Sequence, residues 1–209
     1  MDILKKYNKR YATKKFDNSK KLNDNQIELL VNAVQLAPTS YGLQPFKLVV
    51  VQDQLVKEEL CKAAYNQPQL SDSSAVFVFA AKKSVTHEDI KKFIKHTAAV
   101  RNVSEEDLKG YHDMMIGSTD AKSEEEKFYW AASQAYITLG FLLTTAAMED
   151  LDVCPMEGFN SDSFNKILGL DKEGYSTVVI APVGFRSKED VYAQAPKVRK
   201  SVEELVSFV

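Results

Sequence analysis

Apolar positions along the chain follow two periods. Ile3, Leu4 and Tyr7 sit at helical spacing and predict a short opening helix. Ile27, Leu30, Val31 and Val34 form one stripe of a second helix, which Asn23 starts as a capping residue. Phe46–Val51, Ala75–Ala81 and Tyr175–Val183 are apolar segments rich in β-branched residues, interrupted only by Lys47 in the first and by Ser176 and Thr177 at the start of the third, the pattern of buried strands. Val56–Ala64 reads as a helix whose Cys61 faces the core, and the tract from Thr86 to about Glu126 is polar, charged and helical in pattern. From Phe128 to Met148 no charged residue occurs. A run of roughly 20 uncharged residues is long enough to span a bilayer, but Ser133, Gln134, Thr138, Thr144 and Thr145 interrupt this one, so a buried helix is expected. Such a helix needs protein on every side. A partner subunit would supply part of that cover, and Trp130, Tyr136 and Phe141 are residue types that interfaces favour.

The apolar fraction of 44% is spread evenly, with no Gly/Ser/Pro-rich linker, so a single domain over residues 1–209 is expected. Few apolar strands separated by helices place the class as α+β or α/β, with a central mixed sheet wrapped by helices. A net charge of −2, from 27 basic and 29 acidic residues, gives no electrostatic case for nucleic acid or a membrane surface. Any anion site must therefore be a local cluster of cations. Cys61 and Cys154 are far apart and suggest neither a disulfide framework nor zinc, which fits a reduced cytoplasm. His87, His96 and His112 lack a ligand-spacing pattern, so no metal is expected.

The breaks in the pattern carry the candidate chemistry. Pro38-Thr39-Ser40-Tyr41-Gly42-Leu43-Gln44-Pro45-Phe46 cannot continue the helix before it. Its hydroxyls and free N–H groups suit a polar ligand such as a phosphate, and Phe46 suits covering a flat one; an ordinary helix-to-strand turn accounts for the same residues. Arg10, Lys14 and Lys15 crowd three cations into six positions, which repel one another unless solvent or an anion intervenes. Asn66-Gln67-Pro68-Gln69 offers amides that both donate and accept. Pro155 and Gly158 bracket Met156 and Glu157 and set a backbone path that can present N–H groups in one direction. Lys197 and Arg199 lie two apart, so on an extended segment both point the same way, as a phosphate clamp requires. Met114, Met115 and Ile116 are an apolar patch in a polar tract, either a flexible lid over a substrate pocket or a core-facing stripe.

Taken in order, Arg10-Tyr11-Ala12-Thr13-Lys14-Lys15-Phe16-Asp17, the Pro38 loop, Asn66-Gln67-Pro68-Gln69, Pro155-Met156-Glu157-Gly158-Phe159 and Pro196-Lys197-Val198-Arg199 resemble the nitroreductase family, FMN-dependent NAD(P)H oxidoreductases that act as homodimers. The resemblance covers nearly the whole chain. It implies an α+β fold with a central mixed sheet, in an intertwined homodimer with two FMN sites at the interface. It implies that Arg10, Lys197 and Arg199 bind the FMN phosphate and that Lys14 lies along the isoalloxazine edge. Asn66 and Gln69 would face the pyrimidine and ribityl regions, and the backbone at Glu157 and Gly158 would approach flavin N5. Lys14, Glu157 and Gly158 are thus the catalytic candidates. Tyr11, Ala12, Pro38, Thr39, Ser40, Gly42, Pro155 and Met156 complete the cofactor set, with Ala12 standing where the family often has Ser. Tyr41, Phe46, Met114, Met115 and Ile116 are the substrate candidates. No G-x-G-x-x-G follows a strand, so NAD(P)H is expected as a transient donor in a ping-pong cycle, with nitroaromatics, quinones or similar flat molecules as acceptors. A flavin reductase, another superfamily member with a different acceptor, and a flavin-binding protein without turnover are the alternatives.

Overall fold

The computed structural model of the chain describes residues 2–209. Its elements are α1 (Ile3–Lys9), α2 (Asp24–Gln35), β1 (Phe46–Val51), α3 (Gln54–Ala63), α4 (Gln69–Asp72), β2 (Ala75–Lys82), α5 (His87–Arg101), α6 (Lys109–Asp120), α7 (Glu124–Met148), β3 (Asp152–Val153), α8 (Ser161–Ile167), β4 (Tyr175–Gly184) and α9 (Val202–Leu205).

The strands form one sheet in the order β1-β2-β4-β3, antiparallel throughout. The mixed character expected of the sheet is confined to a single parallel bridge, Ala12 to Val153. Two separate cores explain why β2 and β4 read as apolar segments. Phe77, Phe79 and Val183 pack with Leu30, Leu139 and Leu142 from α2 and α7. Val76, Val78 and Ile180 pack with Leu60, Leu70 and Phe164 from the other layer of helices. With helices over both faces, neither face has to be polar. β3 has only two residues, too few to set a period in the sequence.

The polar tract after Thr86 divides where Asn102 turns left-handed (φ 54°) and ends α5. α7 begins at Glu124, ahead of the apolar run. Ser123 and Glu126 close a capping box there, and three glutamates in the first turn favour the positive end of the helix dipole. Burial on all faces, expected for the later part of α7, is not what the single chain provides. Ala131, Ala135, Thr138, Leu139 and Leu142 are buried, whereas Tyr129 (61% exposed), Tyr136, Ile137 (43%) and Phe141 form an open stripe. Among the described residues no helix is long and apolar enough to cross a membrane.

One core residue is unlike its neighbours. Lys57 on α3 is 1% exposed, and its Nζ donates to the carbonyls of Ser73 (2.6 Å) and Ser71 (3.3 Å) at the end of α4. Burial, and secondarily Lys21, push its pKa down to about 8. The unfolded chain keeps the ordinary value of 10.5 and so binds more protons between those two pH values. The cost of burying the cation is therefore present in full below the window, and stability rises as pH climbs through it. Between about pH 7 and about pH 10, wild-type stability to denaturant should gain on that of Lys57→Met by on the order of 2–3 kcal/mol. Parallel pH profiles would contradict this.

Candidate active site

A cleft of about 410 Å³ opens where the end of α1 meets the C-terminal segment. Arg10, Tyr11, Ala12 and Lys14 line one side; Pro155, Lys197 and Arg199 line the other. Residues separated by nearly the whole chain thus share one wall.

Two carboxylates hold this arrangement, and neither was singled out from the sequence. Asp190 is 4% exposed and accepts from the Tyr11 hydroxyl (2.8 Å), Lys14 N (2.7 Å), Lys15 N (3.0 Å) and Tyr192 N (3.1 Å). Burial works to raise its pKa, but these donors outweigh burial and hold the carboxyl below its usual range. Asp152 accepts from the Arg186 backbone N–H (2.8 Å) and from Arg186 Nε (2.7 Å). The Arg186 guanidinium in turn lies 4.6 Å from the centre of the Tyr11 ring. Burial first, and then the bond to Asp190, push the Tyr11 phenol well above its usual pKa. The Tyr11–Lys15 loop is therefore fixed by a ring stacked on one side and a carboxylate bound on the other.

Of the cleft's cations only Lys9 has a carboxylate partner, Asp150 at 2.6 Å. Among the described residues, Arg10, Lys14, Lys197 and Arg199 form no ion pair with a carboxylate. Lys197 Nζ donates to the Arg10 carbonyl, Arg199 Nη1 to its neighbour's carbonyl (Val198 O, 2.6 Å), and Lys14 Nζ lies 3.9 Å from Cys154 Sγ. Burial and then Arg199 lower the pKa of Arg10; burial and then Arg10 and Arg199 lower that of Lys197. Lys15 departs from the group, facing Glu189 at 3.7 Å.

The Pro155–Gly158 segment runs from this cleft toward the Asn66 turn. Met156 exchanges backbone bonds with Ile180, N–H to O at 2.8 Å and O from N–H at 3.0 Å. Gln67 Nε2 donates to the Gly158 carbonyl (2.7 Å), and the Tyr136 hydroxyl donates to Glu157 Oε1 (2.7 Å). The backbone N–H groups of Glu157 and Gly158 find no acceptor among the described residues, and both residues are exposed. Asn66 sits in the left-handed region (φ 57°) at the turn. Thr13 and Gln69 are buried, and Thr13 Oγ1 and Gln69 Oε1 have no partner among the described residues.

The Pro38 loop lies elsewhere in the chain. Ser40–Gly42 makes a single tight turn with Tyr41 at φ 60° and Gly42 at φ 75°, held by Gln134 Oε1 accepting from Ser40 N (2.8 Å) and Tyr111 donating to Tyr41 O (2.7 Å). The Tyr41 ring packs against Tyr111 and Trp130. Thr39 Oγ1 is engaged by Gln44 N at 3.1 Å. Gly42 borders a second cleft, of about 530 Å³, whose lining shares no residue with the cationic one. Three of the substrate candidates sit against the chain's own core. Phe46 opens β1 and packs on the core instead of covering the loop. Met115 is buried with Ile90 and Ile94, with Ile116 packed against them, so of the proposed lid patch only Met114 stands exposed.

Fold and sequence likeness agree on the class. The structure superposes on a nitroreductase-like protein of Streptococcus mutans with a TM-score of 0.87 at 22% identity, covering 100% of this chain and 98% of that one. An Exiguobacterium sibiricum protein provisionally named a nitroreductase and solved in complex with FMN gives 0.83 at 19% identity, covering 100% and 98%. Residues 7–185 match the Nitroreductase family, and the chain belongs to it. YfkO of Bacillus subtilis, provisionally named an NAD(P)H nitroreductase, is 34% identical over 99% of this chain and 97% of its own length. A Staphylococcus aureus relative with the same provisional name is 30% identical over 99% and 95%.

Because Asp190 satisfies several donors at once in a buried position, Asp190→Ala should cost about 2–4 kcal/mol of unfolding free energy. Denaturant titration measures it, and a loss within about 0.5 kcal/mol, the range of ordinary surface substitutions, would show that the loop holds itself.

Proposed function

We propose that the chain, as one domain over residues 1–209, binds FMN in the cationic cleft. On this reading it is an NAD(P)H-dependent oxidoreductase of nitroaromatics, quinones and similar flat acceptors. One observation carries the proposal: of the five cations lining the cleft, four have no carboxylate partner among the described residues, and only Lys9 is paired, with Asp150. A phosphate monoester suits that donor set, since it brings up to two negative charges and three acceptor oxygens to fork-shaped guanidinium and point-like ammonium donors. The FMN complex of the Exiguobacterium relative supports the choice of ligand.

The residues take the following roles. Arg10, Lys197 and Arg199 neutralise the phosphate. Lys14, on the loop fixed by Asp190, places positive charge beside the electron-rich edge of the flavin ring and favours its anionic reduced form. Tyr11, Ala12 and Pro155 wall the cleft, Met156 anchors the segment that leads from it to Glu157, and Asn66 and the unpartnered Gln69 Oε1 offer polar contacts to the ring and the ribityl chain. The N–H groups of Glu157 and Gly158 present two donors. Bound FMN supplies the chemistry of its N5 atom, which accepts hydride from NAD(P)H and yields it to the acceptor. No protein nucleophile is required.

The proposal includes a homodimer. Pro38, Thr39, Ser40 and Gly42 line no part of the cationic cleft in their own chain, so they are assigned to the cofactor of the partner subunit. Tyr41 and Met114 stand with them at the substrate side. The open apolar stripe of α7 and the exposed Val202, Leu205 and Phe208 at the C-terminus support such a partner. A site that alternates donor and acceptor at one face gives a ping-pong cycle.

The direct test is optical. Purified protein should be yellow, release FMN on denaturation and bleach on anaerobic addition of NADH or NADPH; colourless protein that takes up no FMN would refute the reading. Lys14→Ala should weaken FMN binding on the order of tenfold, about 1.4 kcal/mol, and slow bleaching; wild-type affinity and rate would mean that Lys14 plays neither role. Ile137→Asp, on the open stripe of α7, should yield monomers that lose FMN. A flavin-loaded dimer by light scattering would instead place the subunit contact elsewhere.

A further inference from the structure

The Glu157–Gly158 backbone is exposed, yet its direction is tightly specified. In a trans peptide the N–H points opposite to the C=O, so binding one group aims the other. Met156 O accepts from Ile180 N on β4, which turns the Glu157 N–H away from the sheet. Glu157 O accepts from Phe159 N at 3.0 Å, which aims the Gly158 N–H in its turn. Two side chains outside the proposed cofactor contacts complete the frame. Gln67 Nε2 bridges Gly158 O (2.7 Å) and Ala64 O (3.1 Å), and packs so closely that a Cβ on Gly158 would lie 3.3 Å from it. Tyr136, reaching across from the open face of α7, donates to Glu157 Oε1 at 2.7 Å, with Val178 O at 3.2 Å as its second acceptor. A hydrogen bond this exposed adds little to the stability of the fold. Its effect falls on the orientation of the two N–H groups it flanks.

We propose that Tyr136 and Gln67 are positioning residues that hold the Glu157 and Gly158 N–H groups toward the redox atom of the bound cofactor. This inference rests on the flavin reading above. Flavin N5 accepts a hydrogen bond when oxidised and carries its own N–H when reduced. Fixed N–H donors therefore favour the oxidised form, and loosening them weakens binding of oxidised FMN more than of reduced FMN.

The experiment compares flavin-loaded wild type, Tyr136→Phe, Gln67→Leu and, as a control on the same helix face, Tyr129→Phe. Dissociation constants for oxidised FMN and midpoint potentials are measured together with amide exchange at Met156 and Phe159. In Tyr136→Phe and Gln67→Leu the ratio of oxidised to reduced dissociation constants should rise three- to tenfold, raising the potential by about 15–30 mV for a two-electron couple. Protection of the Met156 and Phe159 amides should fall, and Tyr129→Phe should match wild type. An unchanged ratio, or equal weakening of both forms, overturns the inference. Tyr136→Phe keeps its ring and decides the matter alone if Gln67→Leu does not fold. If wild-type protein binds no flavin, it is the functional reading that fails. The clamp is then judged on amide protection in the flavin-free chain, where wild-type protection in Tyr136→Phe overturns it.

Discussion

The structure depends on positive charge that is brought together and left uncompensated. Two unit charges 4 Å apart repel by about 1 kcal/mol in water and about 4 kcal/mol at the effective dielectric of a protein surface. A cleft that gathers Arg10, Lys14, Lys197 and Arg199 needs strong local bonds to keep its shape. Those bonds come from Asp190 and Asp152. Both carboxylates are spent on backbone N–H groups, on the Tyr11 hydroxyl and on Arg186, so neither is paired with the cleft's cations. The acids build the loop, and the field of the bases faces outward. An anion supplied from outside is the natural counter-charge.

α7 is the second organising element, because one helix serves two parts of the candidate site, the Pro38 loop and the Glu157 segment. Gln134 holds the Ser40 backbone, Trp130 packs on Tyr41, and Tyr136 holds the Glu157 side chain. Its buried face packs on the sheet, and its open stripe carries Tyr129, Ile137 and Phe141. A helix so placed makes the Pro38 loop, the Glu157 segment and any subunit contact mechanically dependent on one another. The depressed pKa of buried Lys57 belongs to a different part of the frame, where its ammonium binds the Ser71 and Ser73 carbonyls at the end of α4.

How much the sequence disclosed depended on the length of the signal. β2 and most of β4 were legible because both faces are buried, and β1, partly buried, because its residues still pack on the two cores, so each reads as a mainly apolar segment. β3 was not, since its two residues acquire meaning only beside β4. The cations were visible as a cluster and as an i, i+2 pair, but their meeting at opposite ends of the chain came from the family resemblance and not from spacing. Asp152, Arg186 and Asp190 were missed because an isolated acid or base in a loop looks like any solvated charge; only contacts 34 to 179 residues distant identify them. Lys57 lay unnoticed in a helix pattern that gives no hint of a buried ammonium. At Met115 the sequence left two readings open, lid or core-facing stripe, and the stripe is what Ile90 and Ile94 on α5 make of it, a small core that it fills.

The central claim is that these cations are completed by a phosphate-bearing flavin in a site that takes both subunits to build. Native mass spectrometry of gently purified protein tests both halves at once. The account predicts an assembly of two 23.5 kDa chains carrying two FMN molecules. A single chain with no added mass would contradict it.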